Sequence, residues 1–371
     1  MERMTDLDKK YMQKALDLAE KGRGWTAPNP LVGAVLVKDG RIIGEGFHEH
    51  CGGPHAEVNA VSSASEEVEG STLYVNLEPC SHTGKTSPCA DFLIEKKVKK
   101  VVVGMLDPNP LVTGRGIDKL RKAGIEVVTG VLEKESQKLN EIFSAYILSQ
   151  QPFVVLKTAM SLDGKIATAT GQSRWISGEA SRKQVHQLRH ELSGIMVGIG
   201  TVLADDPKLT ARLPRSRQPV RIIVDSHLRI PLAAQVLMDQ EEARTLIATT
   251  EAADQAKKEQ LVEMGIEVLT TQSRKGRVDL RDLMKILGQK DIDSILLEGG
   301  AELNFSALQA GIVDKVQSYL APIIIGGKEA KGPVEGPGIE QLREAFQVKE
   351  ITSRSVGEDL LIEGYIHQEV D

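Results

Sequence analysis

Ser71-Thr-Leu-Tyr-Val-Asn-Leu77, running into Glu78-Pro79-Cys80 and then, after eight intervening residues, into Cys89 with Ser87-Pro88 before it, is the stretch that decides the fold. Its first seven residues are mostly β-branched, aromatic or aliphatic and read as a strand. Ser87 is a good N-cap and Pro88 suits a first helical position, which puts Cys89 in the first turn of a helix. The helix dipole favours a thiolate there. Working outward, Leu31–Val37 and Ile42–Ile43 read as strands joined at an Asp39-Gly40 turn. Helices are expected over Tyr11–Lys21, from near His55 toward Glu67, from Ser87, and over Gly116–Ala123. Further strands are expected at Val101–Met105 and Ile125–Thr129. Strands separated by helices imply a largely parallel sheet covered on both faces, a three-layer α/β domain.

Leu132–Gln150 reads as one helix that Gln151-Pro152 breaks. A second α/β run opens with a strand at Phe153–Lys157. It continues with strands at Ser193–Val197, Val220–Asp225, Thr245–Thr249, Glu267–Thr270, Ser294–Glu298 and Lys315–Leu320. The boundary is placed near Pro152, giving domains 1–150 and 151–371. A chain of 371 residues exceeds one ordinary core, so two domains also fit its length.

The formal net charge of −6 and 4% aromatic content argue against a surface that reads nucleic acid through phosphates and stacked bases. A small anionic substrate is compatible, because one or two placed cations suffice. Met1-Glu-Arg-Met-Thr-Asp6 leads into a polar segment with no apolar targeting core, and no stretch approaches membrane-spanning length, so a cytoplasmic protein is expected. Three cysteines do not make a disulfide framework. Enzymes of this size are commonly symmetric oligomers, and a homo-oligomer is expected.

His55-Ala-Glu57, Pro79-Cys80 and Pro88-Cys89 fit one metal site. Zinc accepts one imidazole and two thiolates and leaves a fourth position for water, so His55, Cys80 and Cys89 are the expected ligands. Glu57 fits a proton shuttle better than a fourth ligand. Zinc nucleobase deaminases carry this H-x-E and P-C signature, although with two residues between the cysteines rather than eight. Cys51 has no such setting and reads as a bystander. His48 and His50 are rival ligands, with a substrate role favoured for His48.

His55-Ala-Glu-Val-Asn-Ala60 with Leu77-Glu-Pro-Cys-Ser-His-Thr-Gly-Lys-Thr-Ser-Pro-Cys89 resembles the bifunctional deaminase–reductase family of riboflavin biosynthesis, in which the eight-residue gap is typical. Matching stretches include Pro28-Asn-Pro-Leu-Val-Gly33, Asp107-Pro-Asn-Pro110, Gly114-Arg-Gly116, Lys157-Thr-Ala-Met-Ser-Leu-Asp-Gly-Lys-Ile-Ala-Thr168 and Val197-Gly-Ile-Gly-Thr-Val202. The resemblance implies a cytidine-deaminase-like first domain and a dihydrofolate-reductase-like second. It implies zinc-dependent removal of the 2-amino group from a phosphorylated diamino-ribosylamino-pyrimidinone, then NADPH-dependent reduction of the ribose to a ribityl chain. Positions matching Asn29, His48, His82, Lys85, Asp107 and Asn109 line the family's deaminase pocket. As a plainer reading, Asn29 and Asn109 sit beside prolines, where asparagine is often a turn residue.

Residue physics alone says less about the second half. No G-x-G-x-x-G follows a strand, so a Rossmann site is unsupported. The resemblance implies NADPH contacts from Ala159, Trp175, Thr201, Asp205, Ser226 and the Gly299–Gly300 turn. It implies substrate contacts from Ser173, Arg189, Leu209, Arg212 and Glu298, with Lys157 and Ser177 as further candidates. Arg189 and Arg212 suit phosphate clamps, since the guanidinium fork matches phosphate geometry. Gly178 stands where family members often carry a hydroxyl. Two other readings stay open: a nucleotide or nucleic-acid deaminase with an accessory domain, and a non-catalytic protein whose zinc is structural and fully ligated.

Overall fold

A computed structural model describes residues 5–81 and 88–366, so His82, Lys85 and Ser87 lie outside the described residues. The chain forms two compact units, Met1–Gln150 and Gln151–Asp371.

In the first unit the strands are β1 (Gly33–Lys38), β2 (Arg41–Phe47), β3 (Thr72–Leu77), β4 (Lys100–Met105) and β5 (Glu126–Thr129), in the sheet order β2-β1-β3-β4-β5. The sheet is mixed rather than largely parallel. β1 runs antiparallel to both β2 and β3, while β3, β4 and β5 are parallel. The Asp39-Gly40 turn has both residues at positive φ, 50° and 74°, which joins β1 to β2 as a tight hairpin.

Alternation along the strands builds three layers. Val35, Val37, Tyr74 and Val102 face α1 (Asp6–Ala19) through Tyr11, Met12, Ala15 and Leu18. Their neighbours Ala34, Leu36, Leu73, Val75, Val101 and Val103 face the other way. That second face packs on α2 (Ala56–Ser62), α3 (Cys89–Glu95) and α4 (Arg115–Lys122), which contribute Ala60, Leu93 and Leu120 to it. Helix α1 starts five residues before the expected Tyr11, because Thr5 and Asp8 form a reciprocal capping box. Pro88 occupies the N-cap of α3 and not its first turn, and Cys89 is the first helical residue.

The segment expected as one helix at Leu132–Gln150 is two, α5 (Glu133–Leu139) and α6 (Glu141–Ser149). Between them Asn140, 2% exposed, turns its side chain inward. Its Oδ1 accepts from the Leu31 N–H at 2.8 Å, and its Nδ2 donates to the Leu31 carbonyl at 3.0 Å. Asn76 on β3 donates to the same carbonyl at 2.9 Å and accepts from the Gly33 N–H at 2.8 Å. The helix breaks so that an asparagine can reach a peptide more than a hundred residues away.

In the second unit the strands are β6 (Phe153–Ser161), β7 (Gly194–Gly198), β8 (Val220–Val224), β9 (Thr245–Thr249), β10 (Glu267–Thr270), β11 (Ser273–Arg274), β12 (Arg277–Val278), β13 (Ser294–Gly299), β14 (Lys315–Ala321), β15 (Val348–Val356) and β16 (Asp359–Ile366). Nine of them form one sheet in the order β10-β9-β8-β7-β13-β6-β14-β16-β15. It is parallel from β10 to β14, and β16 and β15 add antiparallel to one edge. The helices are α7 (Glu179–Glu191), α8 (Ile199–Asp205), α9 (Gln255–Glu263), α10 (Leu280–Gly288) and α11 (Ala301–Gln309). Met196, Ile222 and Leu246 pack against α10 and α11, while Ile195, Val197, Ile223 and Ile247 pack against α8 and α9. Among the described residues no helix is long and apolar enough to cross a membrane.

Replacing Asn140 by alanine should strip the Leu31 N–H of its buried acceptor and cost about 1–3 kcal/mol, the usual penalty for an orphaned buried group. A urea titration of the first unit's transition checks this. We expect a lower midpoint at unchanged slope, and an unchanged midpoint would remove Asn140 from any bracing role.

Candidate active sites

In the first unit His55 is the N-cap of α2, Cys80 follows β3, and Cys89 opens α3. Their ligand atoms all lie within 4.8 Å of one another, and no other His, Cys, Asp or Glu among the described residues joins the group. Tetrahedral zinc, with Zn–S about 2.3 Å and Zn–N about 2.0 Å, sets nitrogen and sulfur ligands about 3.5 Å apart. His55 Nδ1 lies 3.2 Å from Cys89 Sγ and 3.7 Å from Cys80 Sγ. The Cys89 backbone N–H, at the start of α3, donates to Cys80 Sγ at 3.3 Å.

A hydrogen bond from Cys89, together with His55 and against the effect of burial, pulls the Cys80 thiol down to about 4. The same contact and burial push Cys89 up. One thiol of such a pair ionises at the other's expense, so holding both as thiolates takes a cation. Two thiolates and one imidazole suit zinc, which at catalytic sites keeps its fourth position for water. Cys51 is exposed and outside the group.

Glu57, in the first turn of α2 and 3% exposed, sits against the Cys89 sulfur, and burial pushes its carboxyl up. His48, 4% exposed, packs its ring edge-on to His55 at 5.7 Å. The Pro54 carbonyl, 3.0 Å from Nδ1, can only accept, so Nδ1 carries the proton. Nε2 then accepts from Asn29 Nδ2 at 3.1 Å. Burial lowers the His48 pKa, in keeping with this neutral tautomer. Asn29 and His48 are thereby brought together beside the metal triad.

Asp107 and Asn109 lie on the loop that joins β4 to α4. Each uses one side-chain oxygen on the loop itself: Asp107 Oδ1 accepts from Asn109 N at 2.9 Å, and Asn109 Oδ1 from Leu111 N at 3.0 Å. The turn-residue reading of Asn109 therefore holds for its oxygen. One residue that sequence reasoning passed over is Glu78, 5% exposed, whose carboxylate accepts four N–H groups of this loop and of the start of α4. Its signal was a carboxylate directly before Pro79-Cys80, paired with Gly114-Arg-Gly116 downstream.

In the second unit the candidate residues cluster at the carboxyl ends of parallel strands. Lys157 and Ala159 lie on β6, and Ser226 follows β8. Glu298 and Gly299 end β13, and Gly300 caps α11. Gly299 and Gly300 have φ of 119° and 73°, which side chains disfavour, and a Cβ at Gly300 would stand 3.4 Å from Thr201 Oγ1 on α8.

Arg189 on α7 grips Glu298 with both ends of its fork, Nε to Oε1 at 2.6 Å and Nη2 to Oε2 at 3.0 Å. Its Nη1 donates to the Thr210 carbonyl beside Leu209 at 3.1 Å. Lys157 Nζ stands 3.6 Å from Glu298 Oε2. Burial raises the Glu298 pKa, but Arg189 and then Lys157 overcome it and hold the carboxyl at about 2. Arg189, expected as a phosphate clamp, is thus largely committed to Glu298, whereas Arg212 is exposed.

Ser173, Trp175 and Ser177 lie on the long connection between β6 and α7. Trp175 is 67% exposed and stacks on the Arg182 guanidinium at 4.7 Å. Arg174 ties that connection to the Asp205 carbonyl at 3.1 Å. Ser226 Oγ accepts from the Val278 N–H at 3.1 Å.

Residues 5–105 match the family described as the cytidine and deoxycytidylate deaminase zinc-binding region, and residues 152–362 match the RibD C-terminal domain. The riboflavin biosynthesis protein RibD of Actinobacillus pleuropneumoniae is 53% identical over 97% of this chain and 95% of its own length. That of Aquifex aeolicus is 46% identical over 97% and 98%. Among solved structures, RibD of Acinetobacter baumannii superposes with a TM-score of 0.88 at 38% identity, covering 98% of this chain and 99% of that one. The diaminohydroxyphosphoribosylaminopyrimidine deaminase/5-amino-6-(5-phosphoribosylamino)uracil reductase of Thermotoga maritima gives 0.84 at 39% identity, covering 97% and 99%. With its metal triad, buried glutamate and second α/β unit, the chain belongs to the RibD family of riboflavin biosynthesis, a zinc-dependent deaminase fused to an NADPH-dependent reductase.

Proposed function

We propose that the first unit deaminates 2,5-diamino-6-(5-phosphoribosylamino)pyrimidin-4(3H)-one and that the second reduces the ribosyl group of the product to ribityl. The observation that carries the first step is the three-ligand group with a buried carboxylate against it. Bound there, zinc supplies the Lewis acidity that makes water a nucleophile at neutral pH. Glu57 takes a proton from the attacking water and delivers it to the departing amine, so water replaces ammonia at the ring carbon. Asn29, oriented by neutral His48, offers its carbonyl oxygen to a ring N–H. Asp107 and the Asn109 amide read the other ring edges, and His82 and Lys85 are assigned to the phosphate.

In the second unit NADPH, when bound, supplies the hydride. Ala159, Trp175, Thr201, Asp205, Ser226, Gly299 and Gly300 hold it. Ser173, Ser177, Leu209, Arg212 and Glu298 hold the sugar phosphate, with Arg212 as the phosphate clamp. Arg189 and Lys157 keep Glu298 ionised and aimed. The acidic net charge supports a small-molecule substrate over nucleic acid, and the same reading puts the protein in the cytoplasm. For a homo-oligomer the support is β15, an edge strand exposed along nearly its whole length. Light scattering decides that point.

Glu57→Gln should retain one zinc per chain while deamination falls about 10²–10⁴-fold, the range for losing a positioned acid–base group. Metal analysis beside ammonia release checks it, and near-normal turnover would remove the assigned role. Arg212→Ala should impair NADPH oxidation, measured with the deaminated intermediate, and leave ammonia release within about twofold. Equal loss of both would argue against the assignment.

The Arg189–Glu298 pair predicts an acid limit. With a folded carboxyl near 2 and an unfolded one near 4.3, the pair's contribution is complete above about pH 4.5 and is lost as pH falls toward 2. Urea midpoints of the second unit, compared between the native chain and Glu298→Gln, should converge across that window. Parallel curves would show that Glu298 titrates normally.

A further inference from the structure

We infer that Glu78 is the positioning residue that sets the deaminase's grip on the pyrimidine, by anchoring the Asp107–Gly116 loop to the segment that carries the metal ligand Cys80. The inference rests on reading the first unit as the pyrimidine deaminase. Glu78 follows β3 directly and lies two residues before the ligand Cys80. Its Oε2 accepts from Asp107 N at 3.2 Å and Gly114 N at 2.9 Å, and its Oε1 from Gly116 N at 2.9 Å and Ile117 N at 3.4 Å. Its own N–H donates to the Met105 carbonyl at 3.0 Å. Both ends of the loop are therefore gathered on one buried carboxylate, and that carboxylate shares a turn with a metal ligand.

The donors are matched to a carboxylate and to no close relative of it. An ionised carboxylate has about four lone-pair sites and no hydrogen, and four N–H groups converge on it here. A glutamine in the same place would turn an NH2 toward two of those donors, at one end of the loop or the other. The loop also braces itself from within. Thr113 Oγ1 lies 2.7 Å from both the Asp107 and the Asn109 carbonyls, and Asp107 and Asn109 each accept one N–H of the loop. The loop is thus an internally tied body, anchored at its base by Glu78.

Gly114 and Gly116 belong to that anchor. Gly114 has φ of 76° and precedes the first residue of α4, which turns its N–H onto Glu78. A Cβ at Gly116 would overlap the Pro79 carbonyl oxygen, so only glycine lets this backbone approach the Glu78-Pro79-Cys80 turn. The Gly114-Arg-Gly116 motif is accounted for by this approach. If Asp107 and Asn109 contact the ring as proposed above, they do so in ground state and transition state alike, and loosening the loop should weaken binding more than it slows the chemistry.

The test is steady-state ammonia release by Glu78→Gln in the full-length, zinc-loaded enzyme, with metal content measured on the same sample. We expect one zinc per chain, KM for the diamino-pyrimidinone phosphate raised about tenfold, and kcat within about threefold of the native value. NADPH oxidation with the deaminated intermediate should be unchanged. Gly116→Ala, which leaves the carboxylate intact but blocks the approach, should give the same KM-dominated defect and serves where Glu78→Gln fails to fold. An unchanged KM, or a loss of activity that tracks zinc loss in both variants, overturns the inference. If the native enzyme itself releases no ammonia from this substrate, it is the proposed function that falls.

Discussion

The Leu31 peptide gives its N–H to Asn140, and its carbonyl receives amide hydrogens from Asn140 and Asn76. Leu31 follows Pro28-Asn29-Pro30, a segment with no ladder of its own, and it leads into β1. Without buried partners its backbone groups would cost the fold the full price of desolvation. Two asparagines from distant parts of the chain supply them, and this fixes where the Asn29 segment enters the sheet. Asn29 then meets His48, whose proton is pinned on Nδ1 by Pro54, and His48 packs against the ligand His55. The order of the pocket wall thus depends on a few buried polar contacts more than on regular secondary structure.

The same device recurs with a charge in place of an amide. Glu78 gathers backbone donors of one loop, and in the second unit Glu298 is fixed by Arg189 and Lys157. The two carboxylates differ in what neutralises them. Backbone N–H groups hold Glu78, so it serves geometry. Two cations hold Glu298, so it stays ionised at neutral pH while its partner Arg189 also grips the Thr210 carbonyl beside Leu209. Removing either partner of a buried pair leaves an uncompensated charge, which makes such a pair a specifier of geometry even where its net stabilisation is small.

The metal ligands were legible because three residue types with strict chemistry occur at element boundaries, where local signals are strongest. Core strands such as β3, β4, β8 and β9 were legible because both faces are covered and their apolar runs are dense. The C-terminal hairpin was not. β15 is exposed at eight of its nine positions, so it carries no alternation, and its register slips between Lys349 and Thr352. The break at Asn140 was hidden for another reason: local periodicity runs straight through it, and the cause lies at Leu31. Likewise nothing local distinguishes Arg189, paired inward, from Arg212, exposed to solvent.

Gly178 shows how a local departure from a family pattern can be read once partners are known. It is the N-cap of α7, where a serine or threonine would normally accept from the first turn. Here the N-cap side-chain bond is absent, and the Gly178 N–H instead donates to Asp359 Oδ2 at 2.8 Å, with Asp359 2% exposed. The helix entry is therefore held from β16, on the antiparallel edge of the sheet, and not by its own cap. A Cβ at this position would stand 3.5 Å from the same oxygen, an ordinary contact, so a hydroxyl-bearing residue fits as well. The missing hydroxyl costs the helix a few tenths of a kcal/mol at most, since glycine is itself a tolerated cap. What the position must preserve is its N–H, which every residue except proline supplies.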